Sequence, residues 1–254
     1  MAYLGVDAIH GELTCAGSAA PLDAALRRRL SATRPDSPIV ILVHGYKFSP
    51  LCTGRNPHDT LYAFAPRTAK ARLLSWPAGL GFCPDDPFDG LCIGFAWPAV
   101  RPHLTALCSS GRTGFAEVYD HAGTAGRDLA NLIARINALA PNRHVDILAH
   151  SLGGRVALSA LGILGRTPGR VVLLGAAEFD RCAIERLSAL RNADRAEIYN
   201  VTARANDFYD FMFETFAPKG AASGRAIGGG LAASECLPGW IDIQIDNPRV
   251  IAWL

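Results

Sequence analysis

Ser151 lies in the run Ala149-His150-Ser151-Leu152-Gly153-Gly154. A serine flanked by small residues, between an apolar run and an amphipathic one, is the pattern that lifts a hydroxyl above a sheet as a nucleophile. Small side chains two residues before and two after it let the next helix pass close to the strand; Ala149 and Gly153 occupy those positions. The plainer reading is a serine that caps helix 152–165. His44-Gly45-Tyr46 follows the apolar run Ile39-Val40-Ile41-Leu42-Val43. A strand ending there, beside the nucleophile strand, can offer a backbone N–H to an oxyanion, the other donor being the N–H of Leu152. His44 reads as a residue that hydrogen-bonds its own loop, not as a base. A carboxylate is then needed after a later strand, to orient an imidazole and stabilise its protonated form. The stretch Thr202-Ala203-Arg204-Ala205-Asn206-Asp207 offers Asp207, with helix capping as its ordinary alternative; Asp180 and then Asp210 are the next candidates.

The elements that must position these groups follow from apolar periodicity. Strands are expected at 39–43, ending near Trp76, and at 91–97, 144–149, 170–176, 196–203 and 240–245. Helices are expected at 22–32, 119–139, 152–165, 180–191 and 206–216. Strand and helix alternate through the second half, and the strands are continuous apolar runs, as in a sheet covered by helices on both faces. The expected fold is α/β: a doubly wound, mostly parallel sheet in one domain spanning 1–254. Loop insertions at about 48–70 and 77–118 break the rhythm and are candidates for a cap or pocket wall. Phe82, Phe88 and Trp97 are candidates to line an acyl pocket, with a place in the core as the alternative.

Composition narrows the chemistry. Half of the 254 residues are apolar and 19% are charged, which suits a globular chain and not a disordered one. The net charge of +2 implies no acidic polymer as partner, so nucleic acid is not expected. No apolar run approaches a membrane span, and Asp7, His10 and Glu12 sit where a secretory signal needs apolar residues; a cytoplasmic protein is expected. Seven cysteines without a C-x-x-C pair suggest reduced thiols and no metal site. The acidic run holding Asp85, Asp86 and Asp89 reads as a solvated turn, and Gly228-Gly229-Gly230 as a flexible loop. No G-x-G-x-x-G follows the first strand, so no nucleotide cofactor is expected. Oligomeric state is left open.

His44-Gly45-Tyr46, the Ser151 run and Asn206-Asp207, in this order, resemble an α/β-hydrolase. The form Ala-His-Ser-x-Gly is similar to that of bacterial lipase-like and esterase-like members. The resemblance implies an eight-stranded sheet and a serine hydrolase cleaving a small-molecule carboxylic ester or thioester through acyl-Ser151. It also implies oxyanion donors at Leu152 and at Gly45 or Tyr46, an acid at Asp207, and no cofactor. One departure is plain: the family order ends in a histidine, and no histidine follows His150. Three readings address it. The sequence stops before the histidine loop and the last helix; or the protein is an inactive relative that binds ligands; or His103 or His121 enters the site from upstream.

Overall fold

The computed structural model describes residues 3–65, 75–84, 86, 90–100, 114–188, 190–191, 196–218, 224–231 and 237–253. The chain opens with a hairpin absent from the sequence expectations, β1 (Tyr3–Ile9) and β2 (Glu12–Cys15). Its two-residue turn, His10-Gly11, has φ of 52° and 84°, the doubly positive geometry that matches the twist of paired strands. The remaining strands are β3 (Ile39–Val43), β4 (Leu91–Ala96), β5 (Val145–His150), β6 (Arg170–Leu174), β7 (Glu197–Thr202) and β8 (Trp240–Gln244). They form one sheet in the order β2-β1-β4-β3-β5-β6-β7-β8, with β2 antiparallel and every other neighbour parallel. The α/β-hydrolase architecture expected from the sequence is the one observed.

The helices are α1 (Leu22–Ser31), α2 (Trp76–Gly79), α3 (Gly114–Leu139), α4 (Leu152–Leu164), α5 (Asp180–Ser188), α6 (Asp207–Phe216) and α7 (Pro248–Trp253). Alternation along the strands sends Ile39, Ile41 and Val43 into one core with Ile93, Phe95 and Ile147, covered by α1, α3, α4 and α5. Leu42 and Cys92 point the other way, under Leu61, Tyr62 and Phe82 from the segments 57–65 and 75–84. Much of the first expected insertion therefore blankets a sheet face. Among the described residues, no helix is long and apolar enough to cross a membrane.

The strand expected to end near Trp76 falls on 66–74, outside the described residues; Trp76 itself opens α2, where the Ser75 hydroxyl accepts from the Ala78 N–H at 3.2 Å and Pro77 occupies the first turn. A capping serine followed by an early proline starts a helix because both deal with N–H groups that have no intrahelical partner. The second Trp-Pro pair does end a strand, with Trp97 directly after β4.

Candidate functional site

Ser151 links β5 to α4 with φ 53° and ψ −125°, a backbone region that L residues avoid. Three hydrogen bonds hold it there. The Ser151 N–H donates to the Leu174 carbonyl at 3.0 Å, while the Ser151 carbonyl accepts from Gly154 and from Ala177, each at 2.9 Å. The helix that follows fits only because two of its first residues lack side chains. A Cβ on Gly153 would stand 2.5 Å from the Val43 carbonyl oxygen, and one on Gly154 would stand 2.5 Å from Ala176 Cβ. Leu152, the first residue of α4, has no carbonyl within the helix to receive its N–H.

Gly45 faces this turn. A Cβ there would lie 2.8 Å from Ser151 Cβ and 3.2 Å from Ser151 Oγ, so the bare backbone after β3 runs directly beside the hydroxyl. His44 anchors that backbone. Its ring stacks on Trp97 with centroids 5.7 Å apart. Its Nε2 accepts from the Trp97 N–H at 3.1 Å, its Nδ1 lies 2.9 Å from the Gly45 carbonyl, and the Trp97 indole N–H donates to the His44 carbonyl at 3.0 Å. Full burial lowers the His44 pKa to about 3. A second proton would also set an N–H against the Trp97 amide. His44 is thus a neutral brace of its loop.

On the other side of Ser151, the loop after β6 is pinned by Glu178, a completely buried carboxylate. It accepts from the Tyr119 hydroxyl at 2.5 Å, from Arg155 at 2.7 and 3.0 Å, from the Phe179 N–H at 2.9 Å, and from Arg186. Arg155 stands on α4, four residues after Ser151, and lies 3.6 Å over the Tyr119 ring. Glu178 therefore ties α3, α4 and α5 to the loop whose Ala177 N–H holds the Ser151 carbonyl.

A cavity of about 620 Å³ opens at the carboxyl end of the parallel strands and is lined by Ser151, Tyr46, Lys47, His150, Gly175, Ala177, Asn206 and Asp210. Phe115, Phe208, Tyr209, Met212, Phe213 and Phe216 complete it. This is the end at which open parallel sheets bind ligands. A second cavity, about 610 Å³, lies at the opposite end against Pro38, His144 and Arg170. Lys47 at the mouth also has a positive φ, 77°, and its N–H donates to the Ala99 carbonyl at 3.0 Å.

Several sequence candidates fall elsewhere. Asp207, the expected acid, begins α6 exposed to solvent and lines a neighbouring cavity with Thr202, Arg204 and Arg225. One helical turn on, Asp210 lines both this neighbouring cavity and that of Ser151; its carboxylate lies close to Gly228 and accepts from the Asn206 amide at 3.1 Å. Burial pushes its pKa up to about 6, with Asp207 and Glu214 nearby adding to the rise and the Asn206 amide opposing it. Asp180 instead accepts from the N–H groups of Arg181 and Arg225. Phe82 is core packing on the far sheet face, and Trp97 is fully buried against His44; neither lines the cavity. Phe88 and His103 lie outside the described residues. His121 bonds the Pro98 carbonyl through Nδ1 at 3.0 Å and does not reach the cavity. His150 is among the lining residues, with its ring edge-on to Trp76, and desolvation by the surrounding protein lowers its pKa. The apolar wall was missed because Phe208-Tyr209-Asp210-Phe211-Met212-Phe213 reads from sequence as ordinary amphipathic helix. Among the described residues, no three His, Cys, Asp or Glu side chains converge as a metal would require.

Residues 18–181 match a family model described as an alpha/beta hydrolase of unknown function (DUF900). The matched span holds Gly45, Ser151 and Glu178 and ends before α6. No curated protein matches the chain.

Two outcomes follow from this geometry. Ser151→Gly relieves the left-handed strain that Ser151→Ala retains, so urea denaturation should find the glycine variant more stable by about 1 kcal/mol; equal stabilities would show no strain at this turn. For His44, the unfolded chain binds a proton that the folded chain excludes. Stability from this residue should therefore fall by roughly 1.4 kcal/mol per pH unit as pH drops below about 6.5, a slope that His44→Gln removes. An NMR titration showing His44 protonated at pH 5 in the folded protein would contradict it.

Proposed function

Because the chain belongs to this family of α/β hydrolases of unknown function, we propose that it is a serine hydrolase acting on a small-molecule carboxylic ester or thioester through an acyl-Ser151 intermediate. The observation that carries the reading is the strained Ser151 turn, with its hydroxyl beside the Gly45 backbone and its residue on the wall of the 620 Å³ cavity. Ser151 Oγ attacks the substrate carbonyl carbon, and the carbonyl oxygen takes up negative charge. The N–H groups of Leu152 and of Gly45 or Tyr46 stabilise that charge; preorganised donors of this kind supply several kcal/mol each. As the Ser151 O–H bond breaks, its proton passes to a titratable group of the cavity and from there to the departing alcohol or thiol. Water then releases the acid from Ser151 by the reverse sequence.

Two titratable residues besides Lys47 and the tyrosines line the cavity: His150, whose pKa burial lowers, and Asp210, whose pKa burial raises. Asp210 takes the part first expected of Asp207, because it alone of the two shares the cavity with Ser151. Its raised pKa makes the ionised, proton-accepting form available only above about pH 6. The contrasting reading, a relative that binds ligand without turnover, draws on the histidine distribution: none follows His150 in the sequence, and His150 is the one histidine lining the cavity among the described residues.

The test is labelling by a fluorophosphonate, which reports an activated serine. Ser151 should be labelled, with a rate that rises as pH passes about 6. The signal should vanish in Ser151→Ala, and the pH inflection should disappear in Asp210→Asn. No labelling of Ser151 between pH 5 and 9, together with no ester hydrolysis, would favour the binding protein.

A further inference from the structure

We infer that the cavity takes an apolar acyl chain of about eight to ten carbons, and that α6 is the wall that measures it. The inference rests on the reading of Ser151 as the acylated residue and extends it to substrate class. Five apolar or aromatic residues of α6, Phe208, Tyr209, Met212, Phe213 and Phe216, line the cavity that holds Ser151.

The α6 residues divide by burial and by reach. Phe213 is a fixed floor, buried and packed on Phe179 with ring centroids 4.7 Å apart and on Phe115 at 6.2 Å. Phe208 and Phe216 are 66% and 42% exposed, so they hold apolar surface that a bound chain would cover. Removing such surface from water is favourable by roughly 25 cal/mol per Å². Phe208, Met212 and Phe216 are spaced by four residues, which sets them along one side of the helix. From Phe208 to Phe216 the axis rises about 12 Å at ~1.5 Å per residue. An extended alkyl chain with ~1.5 Å bonds advances roughly 1.3 Å per carbon, so about nine carbons fill the stripe. Phe211, equally exposed on the same helix, lines the neighbouring cavity and supplies an internal control.

The experiment separates the chain-binding wall from the chemistry. In Ser151→Ala protein, calorimetry compares 1-nonanol with 1-butanol, neutral probes that differ only in chain length. Nonanol should bind at least tenfold more tightly. Phe208→Ala combined with Phe216→Ala should cut that preference below threefold, and Phe211→Ala should keep it. Met212→Trp, which fills the groove, should weaken nonanol more than butanol and serves if the double variant does not fold. Equal binding of the two alcohols, or a preference that survives both the double variant and Met212→Trp, overturns the inference. Fluorophosphonate labelling of Ser151 in the wild-type protein reads the hydrolase function separately. Labelling without a chain-length preference sinks the acyl wall alone; the preference without labelling sinks the hydrolase and leaves the chain site standing.

Discussion

Ser151 keeps a backbone conformation that an L residue avoids, and the carboxyl end of the sheet is arranged around the need to hold it there. A strained residue persists only when its neighbours over-determine it. Here three segments do so: β6 receives the Ser151 N–H, the loop after β6 donates to its carbonyl, and the backbone after β3 closes in from the side. No side chain fits at the contact points, which is why Gly45, Gly153 and Gly154 stand where they do. The same closeness sets the bare Gly45 backbone beside the Ser151 hydroxyl.

Each of those segments has its own brace. The loop after β3 is braced by the neutral His44 ring between Trp97 and Gly45, and the loop after β6 by the buried Glu178 with its two arginines. Both devices bury polar groups, which is unfavourable unless every partner is present. Glu178 meets that condition with donors from three helices. Removing one partner of such a buried pair typically costs about 3–5 kcal/mol, so the brace is stiff, and Ser151 inherits its stiffness through Ala177 and Arg155.

Much of this was legible in the sequence because its signals were local. Ala149 to Gly154 states a tight strand-to-helix passage by residue size alone, and the continuous apolar runs of β3, β5 and β6 state a buried parallel sheet. The hairpin β1–β2 was not legible because its alternation is half polar, with Gly5 and Asp7 between Leu4, Val6 and Ala8, and its turn uses His10-Gly11. Asp207 and Asp210 could not be separated from the string, since one helical turn decides which of them lines the cavity of Ser151. Nor could Phe82 and Trp97 be told from pocket residues: an aromatic that lines a cavity and one that fills a core have the same composition. The α6 wall shows the reverse case, where exposed aromatics on a short helix acquire meaning only once Ser151 is seen beside them.

A hydrolase at this site must pass through acylated Ser151. Intact-mass measurement after acid quenching during turnover of p-nitrophenyl decanoate detects that species. A decanoyl adduct is expected on the protein, mapped by peptide digestion to Ser151 and absent from Ser151→Ala. An adduct on another residue, or hydrolysis that continues undiminished in Ser151→Ala, would contradict it.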